Sequence, residues 1–288
     1  MVIKVNLSRG DDPIKQIEES LRAISKIKET FAKRKEFTLD FSEVNWILPC
    51  SAILLSSKLN EVSIQGAKIN YIESKNKQVQ EYLSKIGFPL GSEEEGDTFI
   101  PISHFQDNPS KKNQVEEEAL TLFEKISSKI PPIFGRNSIP HILSELSDNI
   151  DQHSEFTFAS LMAQFYPKKE YLDLVVLDNG VSIPFLFEKN NIKFDKDSGA
   201  IMKAVSGEIS TKKEEIMRGF GLKSCKRLSL EGFKGELHII SRKGAILFES
   251  NKTPKVYNFD NETLEGTLLY FRLPVPKGKV PFYSLIKN

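Results

Sequence analysis

The chain has 288 residues, 39% apolar and 27% charged, the make-up of a soluble globular protein with one large or two modest domains. Its 40 basic and 39 acidic residues leave a net charge of +1, so no global field favours nucleic acid or an anionic membrane. The longest apolar stretch, residues 46–55, is broken by Pro49, Cys50 and Ser51 and is far too short to span a bilayer. No secretory signal is visible after Met1, and Cys50 and Cys225 are isolated without metal-ligand spacing, which fits reduced thiols in a cytoplasm.

Residues 2–7 alternate as a short strand. Asp12-Pro13 supplies an N-cap and a pre-set first helical residue for a helix striped by Ile14, Ile17, Leu21, Ile24, Ile27 and Phe31. Residues 37–41 read as a strand, Pro49 opens a helix that runs to about Ile64, and Gly66 ends it. Residues 67–72 form a third strand, and Val79, Tyr82, Leu83 and Ile86 mark a third helix stopped at Gly87. Alternating strands and helices of this length predict a small α/β layer domain. Within it, residues 37–52, then Gly66 to Tyr71 and Leu83 to Phe88, resemble a STAS domain over roughly residues 1–105. Anti-anti-sigma STAS proteins carry an Asp-Ser-Ser/Thr-Gly-like loop with a phosphorylatable hydroxyl. Here Pro49-Cys50-Ser51-Ala52 stands there, without the Asp and the Gly, and Ser51 reads either as a residue of the helix start or as an acceptor.

The acidic run Glu93-Glu94-Glu95 reads as a solvated loop rather than a binding tail, and the polar residues 106–114 hold the domain boundary, near 106–112. Leu120, Phe123, Ile126 and Ile130 make a connecting helical stripe interrupted at Pro131-Pro132. In the helix predicted from about Ser138 to His153, Ile139, Ile142, Leu143, Leu146 and Ile150 share one arc, and Glu145 and Asn149 stack at its border. A carboxylate and an amide there are costly to bury unpaired, so they either cap and bridge helices or face a ligand. Residues 172–177 form a dense apolar strand that ends in Asp178-Asn179-Gly180.

Residues 185–217 are charged and irregular, with one helix around 200–205. Gly219-Phe220-Gly221-Leu222 then opens a helix whose free N–H groups and side-chain-free backbone suit phosphate. The spacing is not that of a Walker A loop. Residues 236–241, 245–249 and 268–273 read as antiparallel strands, the last preceded by Gly266-Thr267.

Taken in this order, Glu145 to Asn149, Asp178 to Gly180, Arg218 to Leu222 and Gly266-Thr267 resemble the N box, G1 box, G2 box and terminal Gly-Thr of the GHKL ATPase/kinase superfamily. That group includes gyrase B subunits, heat-shock chaperones, mismatch-repair ATPases, histidine kinases and anti-sigma-factor serine kinases. The resemblance implies that Asn149 binds Mg2+, that Glu145 positions or deprotonates a nucleophile, and that Asp178 accepts the exocyclic amine of adenine. It implies further that Gly180, Gly219, Gly221 and Leu222 shape the nucleotide cradle and that Thr267 contacts adenine or a bridging water.

Ser182 replaces the second Gly of the family's Asp-x-Gly-x-Gly. His153 lies on the Glu145–Asn149 side, as a neighbour of phosphate or as a packing residue. Residues 185–217 correspond to the ATP lid, where Thr211, Lys212 and Lys213 are phosphate contacts or a solvated loop. Glu145 matches ATPases and anti-sigma serine kinases rather than histidine kinases.

The expected fold is α/β: a STAS-like α/β domain over residues 1–105, a linker and connecting helix over 106–136, and a GHKL (Bergerat) two-layer α/β sandwich with a mixed sheet over 137–276. The expected cofactors are ATP and Mg2+. The expected partners are a STAS-like or regulatory protein and a possible second copy of the chain, not nucleic acid or membrane. The expected function is a cytoplasmic regulatory ATPase or serine kinase, or else a non-catalytic ATP-gated interaction module.

Overall fold

The computed structural model describes residues 1–92, 96–106, 121, 124–125, 134, 137–153, 156–207 and 221–287, and of 151–153 the backbone alone. These residues divide into two compact units. One comprises Met1–Gly96 with Pro101–His104 and Ser160–Met162; the other holds the rest. The predicted connecting stripe and the Glu93–Glu95 loop fall outside the described residues.

In the first unit, strands β1 (Val2–Lys4), β2 (Glu36–Asp40) and β3 (Lys68–Ile72) form a parallel sheet in that order. Helices α1 (Pro13–Lys33) and α2 (Pro49–Ile64) make the crossovers that parallel strands require, and they pack on one another. Asp12 caps α1 through the Lys15 N–H at 3.2 Å, with Pro13 in the first turn. Gln16, fully buried on α1, accepts the Leu48 N–H at the start of α2 and donates to the Ser8 carbonyl, so one amide ties both helix entries together.

Helix α2 buries almost its whole circumference, which explains why its sequence carries no single apolar stripe. Phe41, Tyr71 and Phe88 form an aromatic cluster with centroids 5.1–5.8 Å apart. Beyond β3, α3 (Lys77–Lys85) is capped by Asn76.

A seven-stranded sheet runs in the order β4 (Phe99–Gln106), β5 (Phe158–Tyr166), β6 (Tyr171–Asp178), β10 (Leu264–Pro274), β7 (Glu236–Arg242), β8 (Gly244–Glu249), β9 (Lys255–Asn258). Its ladders from β6 to β9 are antiparallel, which corrects the expected mixed sheet. Strands β7 and β8, read as antiparallel from the sequence, are joined by a tight turn at Arg242-Lys243, with Arg242 at φ +55°. Such a turn reverses the chain and leaves no length for a crossover.

In the second unit, helix α4 (Ser138–His153) packs on α7 (Gly221–Arg227) and α7 packs on α6 (Asp197–Ser206). In turn α6 lies against β7, β8 and β9. Between β6 and α6, the segment expected to be irregular contains α5 (Ile183–Lys189), capped by Ser182, whose hydroxyl accepts the Phe185 N–H. Arg242 forks to Asp197 and Glu188 together and fastens α5 and α6 to the hairpin. After α7 the chain continues as a π-helical turn over Leu228–Gly232, and a short helix α8 (Phe282–Ile286) packs against α7 and this turn. Among the described residues no helix is long and apolar enough to cross a membrane.

Candidate functional site

Helix α4 buries Ile139, Ile142, Leu143, Leu146 and Ile150, the predicted arc. Glu145 and Asn149 stand at its border, both half-buried, and Asp148 is exposed. Against them lies the first residue of α7. A Cβ placed on Gly221 would collide with Glu145 Oε2 and stand 3.7 Å from Asn149 Nδ2. A side chain there would push the carboxylate end of Glu145 aside, so the first residue of α7 and the Glu145–Asn149 edge form one surface.

Asn149 Nδ2 is buried and has no hydrogen-bond partner among the described residues. An orphaned buried amide costs free energy unless a ligand satisfies it. Rotated by a half-turn, the same amide presents its oxygen at that place, the atom a divalent cation takes.

A residue not named from the sequence joins this cluster. His141, one turn before Glu145, has its Nε2 2.9 Å from Ser224 Oγ and 3.8 Å from Glu145 Oε1. Its i, i+4 spacing from Glu145 was the available signal. Cys225 is buried in α7, where burial and the Glu145 charge push its thiol well above the ordinary value, so it is no nucleophile in this surface.

The second cluster sits at one end of the sheet. Asp178, Thr267 and Ser241 are register partners across β6, β10 and β7 and share one face. Asp178 Oδ1 accepts the Gly180 N–H at 2.9 Å. Burial pushes this carboxyl up to about 7, while the N–H groups of Gly180 and Thr267 pull it down.

Asp173, also on β6, makes an instructive contrast. Its buried carboxylate receives Arg272 through two nitrogens and the Tyr270 hydroxyl, a closed structural set. The groups acting on Asp178 are backbone N–H groups, which leave carboxylate acceptor positions open for a ligand amine.

Ser241, missed in the sequence, is the hub of this end. Its hydroxyl donates to the Gly266 carbonyl at 3.0 Å and accepts the Ile183 N–H at 2.9 Å. With that hydrogen spent, its 3.0 Å contact with Thr267 makes Thr267 the donor, and Thr267 Oγ1 keeps its lone pairs for an incoming donor. Asn179 turns away from this face: its Oδ1 accepts the N–H groups of Thr157 and Phe158 and anchors the start of β5.

Leu222 is half-buried in the first turn of α7. The side chain of His153, and Gly219, Lys212, Thr211 and Lys213 entirely, lie outside the described residues. Thus Glu145, Asn149 and Gly221 meet, and Asp178, Gly180 and Thr267 meet. Among the described residues no group of three His, Cys, Asp or Glu side chains is gathered for a metal. No protein-family model and no curated protein matches the chain.

Proposed function

We propose that this chain is an ATP-binding regulatory protein with a GHKL-type site. In this reading it is a magnesium-dependent ATPase or a serine kinase like those that act on anti-sigma systems, with a STAS-like N-terminal unit. The observation that carries the reading is the fit of Gly221 against Glu145 and Asn149. Two motifs nominated separately, far apart in sequence, form a surface with a carboxylate, an amide unpaired among the described residues and the first described residue of α7.

Asn149 would hold Mg2+ with the remaining ligands drawn from phosphate and water, the usual habit of this ion. The ion supplies neutralisation of phosphate charge. Asp178 accepts the adenine amine, for which its unfilled carboxylate positions suit it, and guanine presents an acceptor at the corresponding place. Thr267 Oγ1 accepts beside it. Glu145, half-exposed on the same surface as Asn149, takes the proton from water or a serine hydroxyl.

The test is calorimetry with Mg-ATP beside phosphate release. Glu145→Ala keeps ATP and loses turnover by about 10²–10⁴-fold, the usual share of a general base. Asn149→Ala loses the magnesium-dependent part of binding. A Glu145→Ala protein that turns over at the wild-type rate would remove Glu145 as the base, and a wild type that binds Mg-ATP without turnover would make the protein an ATP-gated interaction module. No binding by the wild type would overturn the reading.

A further inference from the structure

Three groups meet the fully buried hydroxyl of Ser241 near the end of β7. The Gly266 carbonyl, 3.0 Å away, can only accept, so it takes the single hydroxyl hydrogen. The Ile183 N–H, 2.9 Å away, can only donate, and it fills one lone pair of Oγ. The other lone pair is left for Thr267 Oγ1 at 3.0 Å, which must donate to it. A Ser241 hydrogen turned to Thr267 instead would leave the Gly266 contact without a donor.

The serine is held in this state from both sides. Its backbone lies between Thr267 of β10 and Gly244 of β8. The next residue, Arg242, grips Glu188 of α5 while Ser241 itself holds Ile183 at the start of the same helix. Consecutive residues of β7 thus clasp α5 near both ends, and turning the hydroxyl breaks that clasp.

We propose that Ser241 is a specificity-determining residue for the purine base: by taking the Thr267 hydrogen it leaves Thr267 Oγ1 with lone pairs only, which admits a 6-amino purine and rejects a 6-oxo purine. This deepens the proposed function and rests on it. Thr267 is the register partner of Asp178, and an ionised carboxylate likewise offers only lone pairs. Adenine brings hydrogens to such a pair, whereas an oxygen at the same place sets lone pairs against lone pairs. Ser241 does not touch the base; it acts through the direction of one hydroxyl. Without it, the Thr267 hydrogen is free to turn and donate to a 6-oxo group.

The experiment is calorimetry with Mg-ATP and with the magnesium complex of inosine triphosphate, which carries oxygen where ATP carries its amine. Burial lifts the Asp178 carboxyl to about 7, so work at about pH 8 keeps it mostly ionised. Ser241→Ala narrows the preference for ATP about tenfold, the worth of one hydrogen bond, through tighter binding of the inosine nucleotide. In a Thr267→Val background, which has no hydroxyl to turn, Ser241→Ala leaves the preference where it was. A Ser241→Ala protein with the wild-type preference, or equal narrowing in the Thr267→Val background, overturns the proposal.

A second readout needs neither variant nor nucleotide. Neutron diffraction from deuterium-exchanged wild-type crystals shows the Thr267 deuterium on the line to Ser241 Oγ and the Ser241 deuterium on the line to the Gly266 carbonyl. A Ser241 deuterium directed at Thr267 overturns the proposal whatever the affinities. A wild type that binds neither nucleotide removes the proposed function and this selectivity with it. One that binds ATP and fails either test loses only the role of Ser241.

Discussion

Gly266 presses so closely on Asp178 that a Cβ on it would collide with the Asp178 carbonyl oxygen and stand 2.8 Å from Asn179 Cα. Its φ of +82° is in the left-handed region, which disfavours other residues. This contact irregularity in β10 sets Thr267 opposite Asp178 and Ser241, so a backbone requirement coincides with the cluster proposed to meet adenine.

Gly266→Ala combines an unfavourable φ with a backbone collision. It is expected to cost at least about 1–3 kcal/mol of stability and to weaken ATP binding with it. Urea unfolding with a midpoint equal to that of the wild type would show that the two strands do not approach as described.

Asp178 carries a stability cost with a definite sign. Burial raises its folded carboxyl to about 7, above the value of an unfolded aspartate. Below the unfolded value both states are protonated and the group costs nothing. Between there and about 7 the unfolded state binds fewer protons, so stability falls as pH rises, and the full cost persists above. Asp178→Asn removes the titration. Its gain in Tm over the wild type should be larger at about pH 8 than at about pH 4, while ATP affinity is lost. Equal gains at both pH values, or undiminished ATP affinity, would count against the buried, ligand-facing carboxyl.

Ser51 is fully buried in the first turn of α2, and its Oγ has no hydrogen-bond partner among the described residues. The folded protein should therefore incorporate no phosphate at Ser51 when incubated with ATP. Ser51→Asp places a charge in the core and should cost at least about 3 kcal/mol, whereas Ser51→Ala should change stability by less than about 1 kcal/mol. Phosphopeptide mapping and denaturant melts decide; stoichiometric phosphate on Ser51 of folded protein would overturn the burial argument.

Several elements were legible in the sequence because their signals are local. Asp12-Pro13 and Pro49 announce their helices through capping and a fixed φ, and α2 and α4 begin and end where their patterns do. The residues of the proposed site were legible one at a time, since a glycine at a helix start or an aspartate at a strand end carries its chemistry in its type and neighbours.

What escaped the sequence depends on partners distant in the chain. Strand β5 is buried on nearly every residue, so its apolar run has no alternation to mark it, and α5 hid in a charged stretch behind the cap of Ser182. The antiparallel pairing of β6 with β10 joins strands remote in the chain, which no local signal sets, whereas β7, β8 and β10 were read as antiparallel from the sequence.

Tertiary structure alone decided that Gly221 makes room for Glu145 and that Ser241 orients Thr267 beside Asp178. Sequence patterns record which groups are available. Hydrogen-bond direction and excluded volume decide where they point, and both exist only once remote segments are packed together.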